Sequence, residues 1–373
     1  MIYYFHYRVL DLNLLILQRL NKNTHPGTTS IQTLLYQSES LLKKDNIRIP
    51  SNKDLPGIFK DGGGSMLNLA HCMLSKLIGD GGQMNQSKCN ELRKGIEPFL
   101  KETYENKQNV LIVAEDFDRV KIDFARLHFY VKPYSRIKVV TAYRRLHDWL
   151  PSWYNEIVKL YTVVYFKGEE EYPSLVQWME EKYDQFKAVH AMAVAQRFRD
   201  AGIAESVEVL NMHDETEPNM LDNFFCNYVP GANMMCQAVR EGQQPPKSNK
   251  GVDHEYDRVA VKASLLKKIP GLDRYNPGRV GAAIKALAKE RGLDDNLPSK
   301  CLNQTMLDDI FTSELSQEKE YFPKFFESQG GEEGLRQDFE KKKHKFCALD
   351  VNLIMERGTF DPIFEELSKD WKF

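Results

Sequence analysis

Arg144 and Ser152 stand eight positions apart across a stretch that changes character twice. Before them IKVVTAY, residues 137–143, is an apolar, β-branched run that predicts a short buried strand, and residues 144–148 form a polar break. After the break Trp149, Leu150, Trp153, Tyr154 and Ile157 recur at helical spacing, with Pro151 where a first helical turn tolerates it. A guanidinium at a strand end can grip a phosphate through two charge-assisted bonds, and a serine with free amides at a helix start adds neutral donors. The plainer account is an arginine that closes a strand and a serine that caps a helix.

A second group with the same potential is HPGTTS, residues 25–30. Gly27 lets backbone approach a ligand, Thr28, Thr29 and Ser30 offer hydroxyls, and His25 offers a cation when protonated. Upstream is LNLLIL, residues 12–17, read as a strand although its length also suits a helix; downstream Ile31, Leu34, Leu35, Leu41 and Leu42 share one helical face. Strand, turn, hydroxyl cluster and helix form a phosphate cradle; a turn followed by an N-cap is the competing account. Two general bases are available at other strand ends. Glu115 closes NVLIVAE, residues 109–115, and His213 follows SVEVLNM, residues 206–212. Glu115 also suits a helix N-terminus, where it would complement the dipole, and His213 suits an ordinary polar strand terminus.

The elements that must position these residues alternate. Strands near 12–17, 109–115, 137–143 and 206–212, separated by helical stretches, predict an α/β fold with a parallel sheet flanked by helices. KAVHAMAVAQRFRDAG ends a helix at Gly202. Residues 241–253, EGQQPPKSNKGVD, read as a linker or loop, dividing a core over 1–240 from a helical region over 254–373 packed on it. In that region the charged faces are expected to meet water, and KKKHK at 341–345 to be a solvated helix end. The glycine run DGGGS, 61–65, lacks the lysine of a phosphate-binding P-loop NTPase motif and reads as a flexible loop.

At 373 residues, 42% apolar and 28% charged, the chain has the makeup of a soluble globular protein. A net charge of −2 gives no basic field for nucleic acid or anionic membrane, so an anionic ligand needs a local pocket. The six cysteines lack zinc-ligand spacing. Cys226 and Cys236 flank a loop short enough for a disulfide to close, and buried free thiols are the equal alternative. The first twenty residues are apolar but interrupted by His6, Arg8, Asp11 and Arg19, short of the roughly 20 uninterrupted apolar residues of a membrane span.

The spacing resembles that of the sulfotransferase family. Arg144, Asp148, Ser152 and Tyr154 match its 3′-phosphate element R-x-x-x-D-x-x-x-S-x-Y, and HPGTTSIQ matches its 5′-phosphosulfate loop H-K-T-G-T-T-S-x-Q at Gly27, Thr28, Thr29, Ser30 and Gln32. His25 stands where the family has lysine, and Pro26 where it has the following threonine. The resemblance implies a P-loop-type three-layer fold with a helical C-terminal extension. It also implies transfer of a sulfuryl group from 3′-phosphoadenosine 5′-phosphosulfate, without a metal, to a carbohydrate or a small hydroxylated metabolite. His25, Gly27, Thr28, Thr29 and Ser30 would hold the 5′ end, Arg144 and Ser152 the 3′-phosphate, and Glu115 or His213 would deprotonate the acceptor. In relatives of this kind segments like S-K-C at Cys301, G-G-E-E at 330–333 and K-F-C at Cys347 recur, which suggests a Cys301–Cys347 staple. Golgi members carry a membrane anchor, so this chain is expected either in the Golgi lumen as an incomplete gene product or in the cytoplasm. A nucleotide-binding relative without transfer activity is the alternative that His25 raises.

Overall fold

A computed structural model of the chain describes residues 13–17, 34–51, 54, 86–113, 123–131, 134, 136–160, 171–214, 220–243, 254–269, 277–294 and 296–370. In chain order these residues form β1 (Asn13–Leu17), α1 (Glu39–Lys44), β2 (Ile47–Arg48), α2 (Gln86–Glu105), β3 (Asn109–Val113), α3 (Phe124–Val131) and β4 (Arg136–Tyr143). There follow α4 (Leu146–Leu160), α5 (Leu175–Lys187), α6 (Ala191–Ala201), β5 (Ser206–Asn211), α7 (Met220–Asn223), a π-helical turn at Phe224–Tyr228, and α8 (Asn233–Arg240). The remainder holds α9 (Glu255–Leu265), α10 (Pro277–Glu290), β6 (Ser299–Cys301), α11 (Gln304–Tyr321), α12 (Pro323–Ser328), α13 (Gly331–Lys342), β7 (Cys347–Leu349), α14 (Val351–Glu356) and α15 (Asp361–Asp370). The fold is mixed α/β and mostly helical. Among the described residues no helix is long and apolar enough to cross a membrane.

The chain divides into two compact units: Met1–Arg144 with Gln185–Lys250, and Arg145–Asp184 with Gly251–Phe373. The last of the three junctions, after Lys250, lies inside the 241–253 segment read as a linker, whereas 145–184, assigned by sequence to the core, group with the C-terminal residues.

The first unit is built on a five-stranded sheet of order β2-β3-β1-β4-β5, parallel at every pairing. The β-branched strand sequences bury both faces, and alternation assigns side chains to each. Val110, Ile112, Ile137 and Val139 join one core with Phe99, Leu127 and Phe198 from α2, α3 and α6. Leu111, Val113, Val140 and Ala142 join the other with Leu34, Leu42, Phe224 and Met235. Helix α6 ends at Gly202, whose φ of 62° is the left-handed cap expected there. Strand β2, only two residues long, carries too little pattern to read in NIRIP. A disulfide joins Cys226 of the π-helical turn to Cys236 of α8.

In the second unit α9 and α10 pack with α14 and α15 around Tyr256, Val259, Ile284, Phe360 and Phe364. Helices α9 and α10 come close at Gly281, where a Cβ would lie 2.7 Å from the Asp257 nitrogen and 2.8 Å from the Tyr256 carbonyl carbon. β6 and β7 form an antiparallel ribbon that sets Cys301 opposite Cys347, and a disulfide joins them.

Helix α4 corrects the sequence reading. It begins at Leu146 rather than after the 144–148 stretch, so Arg145 supplies the first carbonyl, accepting from Asp148 N–H at 3.0 Å and Trp149 N–H at 2.8 Å. Residues 145–148 look like a polar break because Arg145, His147 and Asp148 are ionisable, yet all four residues are buried. Pro151 and Ser152 therefore lie inside the helix, and the free amides of the helix start are not those around Ser152.

Candidate functional site

Within the first unit the carboxyl ends of β4 and β5 carry the polar side chains that could meet a ligand. Tyr143 and Asn211 close the two strands and pair with each other. Arg144 follows directly, partly exposed, and its carbonyl accepts from Nε2 of His190 at 2.9 Å. His190 is buried, which pushes its pKa down to about 4 against a smaller upward pull from that carbonyl. The ring is therefore neutral near pH 7, with its proton on Nε2. It sits edge-on to Tyr143 at 5.5 Å between centroids, and His213 packs on the same tyrosine at 6.5 Å. Asn211 Oδ1 accepts the His213 N–H at 2.9 Å.

Among the described residues, Thr141 Oγ1 on β4 and Asn211 Nδ2 on β5 are buried here with no hydrogen-bond partner. A parallel register that pairs Thr141 with Val209 and Tyr143 with Asn211 sets both on one face of the sheet, toward its carboxyl edge. Leaving such groups unsatisfied costs about 1–3 kcal/mol each, a deficit that a polar ligand could offset.

Of the residues singled out by sequence, the structure brings Arg144 and His213 to this edge. His25, Gly27, Thr28, Thr29, Ser30 and Glu115 lie outside the described residues. Ser152 belongs to the second unit, 5% exposed in the interior of α4. Tyr154 donates its hydroxyl to the Pro173 carbonyl at 2.9 Å.

The second unit holds a cluster that sequence reasoning missed. Arg145 donates from Nε to Glu318 Oε1 at 2.7 Å, from Nη2 to Glu318 Oε2 at 3.1 Å and from Nη1 to Asp338 at 2.8 Å. His147 lies between Glu314, 3.0 Å from Nδ1, and Asp338, 3.1 Å from Nε2. Lys342 donates to Asp148 at 2.9 Å and Asp338 at 3.0 Å, and Lys345 to Asp148 at 2.7 Å. Four cations thus face four carboxylates, and Glu314 and Glu318 are 0% exposed. Burial alone would lower the His147 pKa, but Glu314, Asp338 and Asp148 carry it up to about 9. Burial would raise Asp148 and Asp338, yet His147 and the lysines hold both well below the usual carboxylate range.

Lys341, Lys343 and His344 meet water as expected, but Lys342 and Lys345 turn to this cluster, and Glu314 and Glu318 carry part of the charge of α11 into the interior. The signal was present: Ile310, Phe311, Glu314 and Glu318 lie three, four, seven and eleven positions after Leu307, setting two glutamates on the apolar stripe of α11. A metal reading was also open, since ligand atoms of His147, Asp148 and Asp338 lie within 4.8 Å of one another. Lys342 Nζ bonds to both aspartates, so an ammonium already supplies the positive charge. The cluster acts as an internal brace between α4 and the helices α11 and α13.

Comparison with protein-family models, with curated proteins and with solved structures finds no match for this chain.

Proposed function

We propose that the chain is a sulfotransferase-like enzyme using 3′-phosphoadenosine 5′-phosphosulfate, with a hydroxyl or amine acceptor, by first choice on a carbohydrate. The observation that carries the reading is where two sequence matches fall in the sheet order. From β1 the chain passes to β2, beyond β3; from β4, the neighbour of β1 on its other side, it passes to β5. Adjacent strands whose connections leave in opposite directions open a crevice at their carboxyl ends, the preferred ligand position in open parallel sheets. Leu17, the last residue of β1, pairs with Val140, near the end of β4. Residues 25–30 come after the first of these strands and Arg144 directly after the second.

The donor supplies an activated sulfuryl group; the chain supplies grip, charge and a proton acceptor. Arg144 is the residue for the 3′-phosphate, and its bonded carbonyl anchors the backbone from which the guanidinium extends. The hydroxyls of Thr28, Thr29 and Ser30 and the backbone at Gly27 serve the 5′ end, with protonated His25 opposing negative charge on the leaving phosphate. Glu115 or His213 takes the acceptor's proton. The two unpartnered polar groups at Thr141 and Asn211 support a polar ligand at this edge. Arg144 is the first residue of the 3′-phosphate assignment; Ser152, inside α4, keeps its motif spacing and its hydroxyl but brings no helix-start amides.

A calorimetric titration with 3′-phosphoadenosine 5′-phosphate tests the reading. Roughly micromolar binding, about −8 kcal/mol, is expected, and Arg144→Ala should weaken it by ~2 kcal/mol through loss of charge-assisted bonds. A folded variant that binds as tightly as the parent chain would sink the site. His25 and Pro26 in place of lysine and threonine favour a second reading, a nucleotide-binding protein without transfer. It predicts the same binding isotherm with no sulfuryl transfer to any acceptor.

A further inference from the structure

Asn303, Gln304 and Thr305 form the triplet that accepts an N-linked glycan: asparagine, a residue other than proline, then threonine. Three letters alone are a weak match, and their setting gives them weight. All three residues are exposed. Asn303 caps α11 through Oδ1, which accepts the Met306 N–H at 2.9 Å. Nδ2, the atom to which a glycan is joined, makes no hydrogen bond to any described residue. The cap uses one end of the amide and leaves the other open.

The second observation is a disulfide on β6, the strand that leads into this cap. Two residues before Asn303, Cys301 is exposed and bonded to Cys347, and a second disulfide joins Cys226 to Cys236. Exposed disulfides persist in oxidising compartments and are reduced in the cytosol. Those oxidising compartments include the one in which chains receive N-linked glycans.

We propose that Asn303 carries an N-linked glycan. In that step Nδ2 bonds to the anomeric carbon of an oligosaccharide held on a lipid-linked pyrophosphate. The carbon–oxygen bond to the pyrophosphate breaks, its electron pair leaves with the pyrophosphate, and Nδ2 gives up one proton. Nothing is oxidised or reduced. The proposal does not depend on the transfer reaction assigned to the first unit. A second such triplet, Asn85, Gln86 and Ser87, begins outside the described residues.

One digest tests both the modification and its premise. Thiols are blocked as the full chain is isolated from its own cells, and trypsin then releases residues 301–319 and 346–357 as a pair joined by Cys301–Cys347. The expected result is a linked pair carrying a glycan, which a glycan-releasing amidase converts to the aspartate form at Asn303. A linked pair with unmodified Asn303 overturns the proposal, and so do two separate, thiol-blocked peptides. Asn303→Asp keeps a capping oxygen, so it should lose the modification while its unfolding temperature stays within a degree or two of an amidase-treated parent. Thr305→Ser should remain modified and Thr305→Ala should not. Retention of the glycan on this peptide in Thr305→Ala would refute the assignment.

Discussion

Glu318 has no exposure and both of its oxygens are taken by the Arg145 guanidinium. Removing one charge from a buried pair leaves the other desolvated and under-compensated, which costs far more than the pair contributes when intact. Glu318→Gln keeps the shape and should destabilise by ~3 kcal/mol, read as a lower urea midpoint at unchanged slope. Lys345 is the contrast. Its side chain is 38% exposed, and Lys342 also serves Asp148, so Lys345→Met should cost under ~1 kcal/mol. Equal losses in the two variants would show that burial does not set the energetics of the cluster.

Among the elements, the close approach of α9 and α10 makes a sharp prediction. Alanine is the better helix former by about 1 kcal/mol, so Gly281→Ala would stabilise an isolated α10. In the folded unit its Cβ would press on the backbone at Tyr256 and Asp257, which cannot swing aside as a side-chain tip would. Overpacking of this kind costs ~1–3 kcal/mol, and the net change should be a loss. A higher melting temperature for Gly281→Ala would mean that the helices can part at little cost. The same scale shows what the sequence made legible. β3, β4 and β5 lie within two residues of their expected spans because β-branched runs with polar ends have a local cause. The start of α4 was misplaced because its cause is not local: the partners of His147 and Asp148 lie 167 to 197 positions further along the chain. Arg144 and His213 were legible as strand-end residues, whereas the brace became visible only once α11 and α13 were packed on α4. Its one local trace was the pair of glutamates on the apolar stripe of α11.

For the whole molecule, two buried histidines set opposite pH dependences in the two units. His147 has a folded pKa raised from 6.5 to about 9, so its contribution is fully present below about 6.5 and is lost as pH rises through about 9. His190 has a folded pKa lowered from 6.5 to about 4, so stability is full above about 6.5 and declines as pH falls toward 4. Each shift corresponds to about 3 kcal/mol. Asp148 and Asp338, held low, contribute from ordinary carboxylate values upward and are lost only as pH falls through their depressed range. Among the described residues the tryptophans, Trp149, Trp153 and Trp178, belong to the second unit. The urea midpoint read by tryptophan emission should therefore fall between pH 6.5 and 10; a flat midpoint would show that His147 does not hold its proton. On the acid side, His190→Gln should reduce the loss of stability between pH 6.5 and 4.

The interleaving of the two units has a consequence for biosynthesis. Arg145, His147 and Asp148 are made first, and the glutamates, Asp338 and the lysines that neutralise them are made 167 to 197 residues later. Until Lys345 has left the ribosome, the first segment of the second unit carries charges whose partners do not yet exist. The first unit can complete its sheet once β5 has emerged, more than a hundred residues sooner. Folding on the ribosome should then proceed from the sheet outward, with the segment 145–184 waiting in a solvated state until α11 and α13 arrive. A ribosome that stops short of α13 releases a chain with its sheet built and this segment exposed, the kind of product that quality-control proteases recognise.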